Sequence, residues 1–233
     1  MKWVVVGVLL MIRHTDALTF MRNMPSVCVD LIVTDPPYKV VSGGVGPDRE
    51  NGYAASVVAG IGQNGKIFKH QSIQPSDYMS ELFRILKAGS HCYIMSNRIN
   101  LVATIQAGEA AGFHFHNILR WDKPNVNTNR WYMIDCEFTV FFAKKPVRTI
   151  NHPGSKQGFT ATVEKPKWHP TQKPVSLMEH YILNSSEPGQ LVFDPFAGVG
   201  STLVAAAQLG RRWLGCEIDA EWYNIAAIRM YGL

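Results

Sequence analysis

The sequence predicts a doubly wound α/β fold, on three observations. Apolar runs such as Val29–Thr34 lack the strict polar alternation of a half-exposed sheet, as expected for strands covered on both faces. These runs alternate with segments of helical period. The stretch Gln190–Thr202 reads as a strand, a glycine-containing turn and a helix start, an arrangement that delivers a ligand to a helix N-terminus.

The opening Lys2–Ile12 has the apolar character of a short signal-peptide core, but Arg13-His14-Thr15-Asp16 stands where a small-residue cleavage site belongs. It is also too short to span a bilayer, so it reads as strand, with Met11 as a second candidate start. A strand at Ile12–His14 and a helix at Ala17–Met24 follow, with Asp16 placed to cap that helix. Val29–Thr34 is the next strand. Ser76 is the expected N-cap of a helix over Asp77–Lys87, closed by Gly89. Then come a strand at His91–Met95, a helix at Leu101–Ala111 ended by Gly112, and strands at Asn117–Trp121 and Phe138–Ala143. A helix at Pro174–Asn184 precedes the glycine-turn unit, whose helix runs through Leu203–Leu209. The strand Arg212–Ile218 and the helix Ala220–Tyr231 complete the series.

With 233 residues, 46% hydrophobic and 18% charged, the chain can bury one sizeable core, and a single domain over 1–233 is expected. Cys28, Cys92, Cys136 and Cys216 lie far apart within apolar runs. They read as buried reduced thiols of an intracellular protein rather than a zinc site.

Two motifs carry chemistry. Asp35-Pro36-Pro37-Tyr38 ends a strand, because two prolines cannot continue one. A carboxylate, a proline carbonyl and an aromatic ring are thereby held together at a strand's carboxyl end. That group suits a flat, amine-bearing ring, though four residues alone are equally compatible with a surface turn. In the second motif, Gly198 and Gly200 permit close backbone approach, and Glu217 falls where such folds put a carboxylate on ribose hydroxyls. There is no Gly-Lys-Ser/Thr, and Leu203 stands where the dinucleotide pattern needs its third glycine. An adenosine derivative bound without a phosphate grip fits best.

With both motifs in place, the chain resembles the S-adenosylmethionine-dependent DNA amino-methyltransferases in their beta arrangement, where the Asp-Pro-Pro-Tyr block precedes the glycine loop. Five segments match in order: Thr15–Leu18, Asp35–Tyr38, Trp121–Pro124, His169–Pro174 and Asp194–Thr202. The resemblance implies a Rossmann-like, mostly parallel seven-stranded sheet with one reversed strand near the edge. It implies Asp35, Pro36, Pro37 and Tyr38 as the catalytic group, with Tyr38 stacking on a flipped base. It places Asp194, Phe196, Gly198, Gly200, Ser201 and Thr202 around the methionine and ribose of S-adenosyl-L-methionine, Glu217 on the ribose, and Asp16 near the adenine. Thr171 and Lys173 would reach the methionine carboxylate. Trp121, Lys123 and Glu137 take supporting positions, and no metal is required.

The glycine-rich stretch at about 39–75 is expected to be a flap over the target base. The stretch 144–168 carries six basic residues against one acidic, a net equal to the +5 formal charge of the whole chain. It is expected to be a small target-recognition insertion, with Lys144, Lys145, Arg148 and Lys156 contacting double-stranded DNA. The leading expectation is transfer to the N6 amino group of adenine in DNA, with N4-cytosine methylation and an inactive DNA-binding relative as alternatives. A cytoplasmic setting in a prokaryote or phage-infected cell is implied. A homodimer and a cognate restriction endonuclease stay open as partners.

Overall fold

The computed structural model describes residues 11–37, 73–124, 132–169 and 171–232. Tyr38 and nearly all of the proposed flap lie outside the described residues. The chain runs β1 (Met11–His14), α1 (Ala17–Arg22), β2 (Val29–Thr34), α2 (Pro75–Ile85), β3 (Leu86–Ser96), α3 (Leu101–Ala110), β4 (His114–Asp122) and β5 (Cys136–Ala143). It continues through β6 (Gly158–Thr160), α4 (Val175–Ser185), β7 (Leu191–Asp194), α5 (Ser201–Gln208), β8 (Arg212–Glu217) and α6 (Ala220–Tyr231).

The strands form one eight-stranded sheet in the order β1-β8-β7-β2-β3-β5-β4-β6. Only β5 runs against its neighbours, pairing antiparallel with β3 and β4; the other pairs are parallel. The doubly wound class is borne out, with one strand more than the resemblance implied. The extra one is β6, three residues inside the basic stretch that pair with Arg120–Asp122 on the edge. Too short and too polar to show a period, β6 left no signal in the sequence.

All six residues of β2 are buried. Leu31 and Val33 face α4, α5 and α6, whereas Ile32 faces α1 and α2, so adjacent side chains enter opposite cores. Burying one such aliphatic side chain is worth roughly 1.5–3 kcal/mol, which is why the run tolerates no polar alternation. The helix expected from a Ser76 cap instead begins at Pro75 behind Gln74, whose backbone N–H donates to Asp77 Oδ2 at 2.7 Å. It ends at Ile85, not near Gly89, because fully buried Leu86 already belongs to the sheet. Of the cysteines, Cys92 and Cys216 are buried and Cys28 and Cys136 half-buried, all four as free thiols. Among the described residues no helix is long and apolar enough to cross a membrane.

Candidate active site

The connection β2 to β3 winds one way across the sheet, and β7 to β8 winds the other. The reversal falls between β2 and β7, and open α/β sheets bind ligands at such a switch, beyond the carboxyl ends of the strands. Asp35 follows β2 there, Asp194 ends β7 and Glu217 ends β8. They share a cavity of about 340 Å³ with Asp16, Pro36, Pro37, Thr171, Lys173, Phe196, Gly198, Ser201 and Thr202.

Backbone and carboxylates shape this cavity together. Asp194 Oδ1 accepts from Thr34 Oγ1 at 2.7 Å and from the Phe196 N–H at 3.1 Å, which fixes the turn leaving β7. Burial pushes the Asp194 carboxyl up to about 6, against these hydrogen bonds. Glu217 Oε2 accepts from the Gly198 N–H at 2.9 Å and its Oε1 from the Asp219 N–H at 2.8 Å, so one acid ties the glycine turn to the start of α6. Burial raises its carboxyl too, opposed by those backbone hydrogen bonds. Asp16 caps α1, accepting from the Thr19 N–H at 2.8 Å, while still lining the cavity. The capping and cavity roles left open by the sequence are therefore compatible.

At the Asp35 end, charges alternate. Lys173 Nζ lies 2.6 Å from Asp35 Oδ2 and 3.2 Å from Glu137 Oε2, and Glu137 Oε1 lies 2.6 Å from Lys123 Nζ. Asp35 Oδ1 is buried without a hydrogen-bond partner among the described residues, as is Ser201 Oγ. Burial pushes the Asp35 carboxyl up; the charge and hydrogen bond of Lys173 oppose this, and Glu137 adds to it. Burial also acts upward on Glu137, but Lys173 and Lys123 outweigh it and hold that carboxyl below its usual range.

Of the residues predicted for cofactor binding, all but Gly200 line the cavity. Gly200 sits at φ +82°, and a Cβ there would come within 3.3 Å of the Ala226 Cβ, so it serves the contact of α5 with α6. Gly198, at φ +52°, would direct a Cβ into open space. Lys173 lies on Asp35 and Glu137. Sequence reasoning missed Asp219 and Trp222, which also line the cavity. Asp219 carries a signal that was readable, an aspartate before a helical run, and it caps α6 by accepting from the Glu221 N–H at 2.9 Å. Trp222 meets the His169 ring edge-on at 4.3 Å, and burial lowers His169 to about 4, so its imidazole is neutral at physiological pH.

The four residues predicted for DNA do not gather at this cavity. Lys144, Lys145 and Arg148 follow the end of reversed β5, which pairs Ala143 with His91 midway along β3 and with His114 at the amino end of β4. Asp35 is level with Met95, four residues further along, or about 13 Å at strand rise. Lys144 Nζ caps α2 from below, donating to the Phe83 and Leu86 carbonyls at 2.6 and 2.8 Å. Arg148 donates to the Ser185 carbonyl at 2.9 Å. Lys156 is exposed on the flank, just before β6. Within the same stretch, exposed Lys165 and Lys167 lie beyond the carboxyl end of β6, next to cavity-lining His169.

Known proteins resemble this chain over most of its length. The Type II methyltransferase M2.DpnII of Streptococcus pneumoniae is 29% identical, over 93% of this chain and 88% of its own. The DNA adenine methyltransferase YhdJ of Escherichia coli K12 is 26% identical, over 94% and 82%. Among solved structures, the M1.HpyAVI–SAM complex superposes with a TM-score of 0.72 at 24% identity, over 94% of this chain and 98% of that one. The cytosine-N4-specific PvuII DNA methyltransferase superposes with a TM-score of 0.70 at 15% identity, over 94% and 85%. A family model described as DNA methylase matches residues 29–228, which take in Asp35, Lys173, Asp194 and Glu217, and the chain belongs to that family.

Proposed function

We propose that this chain transfers a methyl group from S-adenosylmethionine to the N6 amino group of adenine in DNA. The observation that carries the reading is the Asp35 carboxylate, which lines the same cavity as Glu217 and Asp194 and keeps one oxygen, Oδ1, buried without a hydrogen-bond partner among the described residues. One relative supports adenine as the base, the DNA adenine methyltransferase YhdJ, by its name. The PvuII enzyme shares the fold and acts on cytosine, so the fold does not choose the base.

The cavity suits an adenosyl amino acid. Phe196 and Trp222 offer aromatic faces, Glu217 a carboxylate for a diol, the open side of Gly198 room for close approach, and Ser201 Oγ a buried hydroxyl awaiting a partner. When bound, S-adenosylmethionine supplies a methyl group already activated on a sulfonium. Asp35 and the Pro36 carbonyl would accept the two amino hydrogens of the base and orient the nitrogen lone pair toward that methyl. Oriented acceptors in a dry site stabilise the positive charge that develops on nitrogen. Asp35, with its carboxyl raised by burial, is then placed to take the proton the nitrogen sheds. In duplex DNA the base must leave the stack to reach this pocket, and Tyr38 is assigned the stacking face. For phosphate contact we favour the cavity-side half of the basic stretch, Lys165 and Lys167, over Lys144, Lys145, Arg148 and Lys156. A cytoplasmic enzyme partnered by a restriction endonuclease accords with the Type II relatives.

The test is to incubate the chain with duplex DNA and labelled S-adenosylmethionine, then digest to nucleosides. N6-methyladenine is expected; N4-methylcytosine or no modified nucleoside refutes the reading.

A further inference from the structure

We propose that Lys173 is a positioning residue for methyl transfer. By holding Asp35 Oδ2 while Glu137 and Lys123 hold it in turn, it leaves Asp35 Oδ1, the carboxylate oxygen without a partner among the described residues, to accept from the target amino group once a base is bound. The inference rests on the reading of Asp35 as the amino-group acceptor, and it moves Lys173 from the methionine carboxylate to the catalytic carboxylate.

An aspartate carboxylate can turn about its last torsion and offer either oxygen. Here one is taken: Lys173 Nζ approaches Oδ2 to 2.6 Å, as short as the charge-assisted hydrogen bonds that form the strong class. The other, Oδ1, is buried with no partner among the described residues, a state that costs free energy unless a ligand satisfies it. An amino hydrogen of a bound base would satisfy it.

The anchor is itself anchored. Only 6% of the Lys173 side chain is exposed, and a buried ammonium persists only when paired. Glu137 supplies the second carboxylate from β5, and Lys123, just past β4, fixes the far oxygen of Glu137. Lys123 also lies over the Trp121 ring at 5.2 Å, and the Trp121 indole N–H donates to the Ala161 carbonyl at 2.8 Å. The chain of alternating charges therefore ends on paired strands, which hold position better than loops.

The charged and titratable groups that face Asp35 are Lys173, Glu137 of β5, Asp194 of β7 and Tyr78 of α2. Among the described residues, those that face Lys173 include Asp35, Glu137 and His169. Two of them act on Asp35 in opposite directions, against the upward push of burial: Lys173 favours its ionised form, and Glu137 favours its protonation. A protonated Asp35 would offer a hydroxyl donor to an amino group that is itself a donor.

The experiment is the pH dependence of single-turnover methyl transfer to duplex DNA, with saturating S-adenosylmethionine, for wild type, Lys173→Met and Glu137→Gln. Cofactor affinity is measured alongside by calorimetry. Lys173→Met should lower the rate at neutral pH by roughly 10²-fold and move the acid limb to higher pH. Glu137→Gln should move the limb to lower pH. Both should bind S-adenosylmethionine within about threefold of wild type, on a scale where tenfold is 1.4 kcal/mol. General loss of packing would not move the two limbs in opposite directions. If Lys173→Met instead weakens cofactor binding more than about tenfold and leaves the limb in place, Lys173 grips the methionine carboxylate and the proposal falls. If it fails to fold, Glu137→Gln decides alone, and an unmoved limb there overturns the proposal. A wild-type chain that methylates no DNA overturns both this inference and the reading beneath it, whereas an active wild type with unmoved limbs sinks only the inference.

Discussion

Gly198 and Gly200 share a backbone penalty but differ in where a side chain would go, and that difference separates ligand contact from packing. Both have positive φ, +52° and +82°, so alanine at either should cost roughly 1–2 kcal/mol of folding free energy through the left-handed conformation alone. A Cβ on Gly200 would meet the Ala226 Cβ at 3.3 Å, forcing α6 to yield by a few tenths of an ångström, whereas a Cβ on Gly198 meets nothing within 4 Å. The space beside Gly198 is the cavity itself. Gly198→Ala should therefore be at least as stable as Gly200→Ala yet lose at least about tenfold in S-adenosylmethionine affinity, or 1.4 kcal/mol. Gly200→Ala should keep its affinity within about threefold, well under that tenfold step. Urea unfolding gives the stabilities and calorimetry on the folded variants gives the affinities. Equal losses of affinity in two equally folded variants, or none in Gly198→Ala, would refute the reasoning and leave the turn a packing device.

Other outcomes follow from the same geometry. Asp35→Ala should lower the methyl-transfer rate roughly 10²–10³-fold with cofactor affinity nearly unchanged, since Lys173 keeps Glu137 as a partner; activity within a few-fold of wild type removes Asp35 from the site. Asp194 titrates at about 6 in the fold against 3.8 ordinarily, so the folded state holds the extra proton and stability falls as pH rises from about 4 to about 6. Asp194→Asn should abolish that part of the slope, worth up to about 3 kcal/mol at 1.36 per unit, and denaturation curves at pH 4 and 7 that shift in parallel with wild type would show otherwise. Lys165→Glu with Lys167→Glu should flatten the salt dependence of DNA binding by up to about 2 in log–log slope, at roughly 0.9 per phosphate contact. Lys145→Glu with Lys156→Glu should leave the slope in place, and the reverse pattern would put DNA on the opposite end of the sheet.

Much of the fold was legible because the residues that decide it are local. β2 matches its predicted bounds because a mainly apolar run that Asp35-Pro36-Pro37 stops has one cheap solution, a strand buried on both faces. α6 matches because Asp219 caps its start and Gly232 follows its end. The start of β3 was not legible. Gly89 looked like a helix stop, but Leu86 gains more by entering the sheet than by finishing a turn of α2, and the strand begins directly where the helix ends. Pattern reasoning assumes a connection between elements, and here there is none.

The site was legible as a set of residues but not as a set of pairs. Asp35, Asp194, Gly198 and Glu217 each end a strand or shape a turn, which a sequence can show, and the sheet order brings them into one cavity. The contact between Lys173 and Asp35 spans 138 positions and depends on that order, so no local signal announces it. The basic stretch shows the same limit from the other side. Charge density says how many lysines a segment carries, but strand direction says which end of the sheet they occupy. Because β5 runs against its neighbours, the chain leaves it at the amino end of the sheet, and the first lysine met there caps α2. The chain then returns along β6, parallel to β4, and only after that do its lysines reach the carboxyl end. Through that one reversed strand the run of positive charge starts at the amino end of the sheet, where Lys144 caps α2, and only Lys165 and Lys167 come after β6, in the segment that leads to cavity-lining His169.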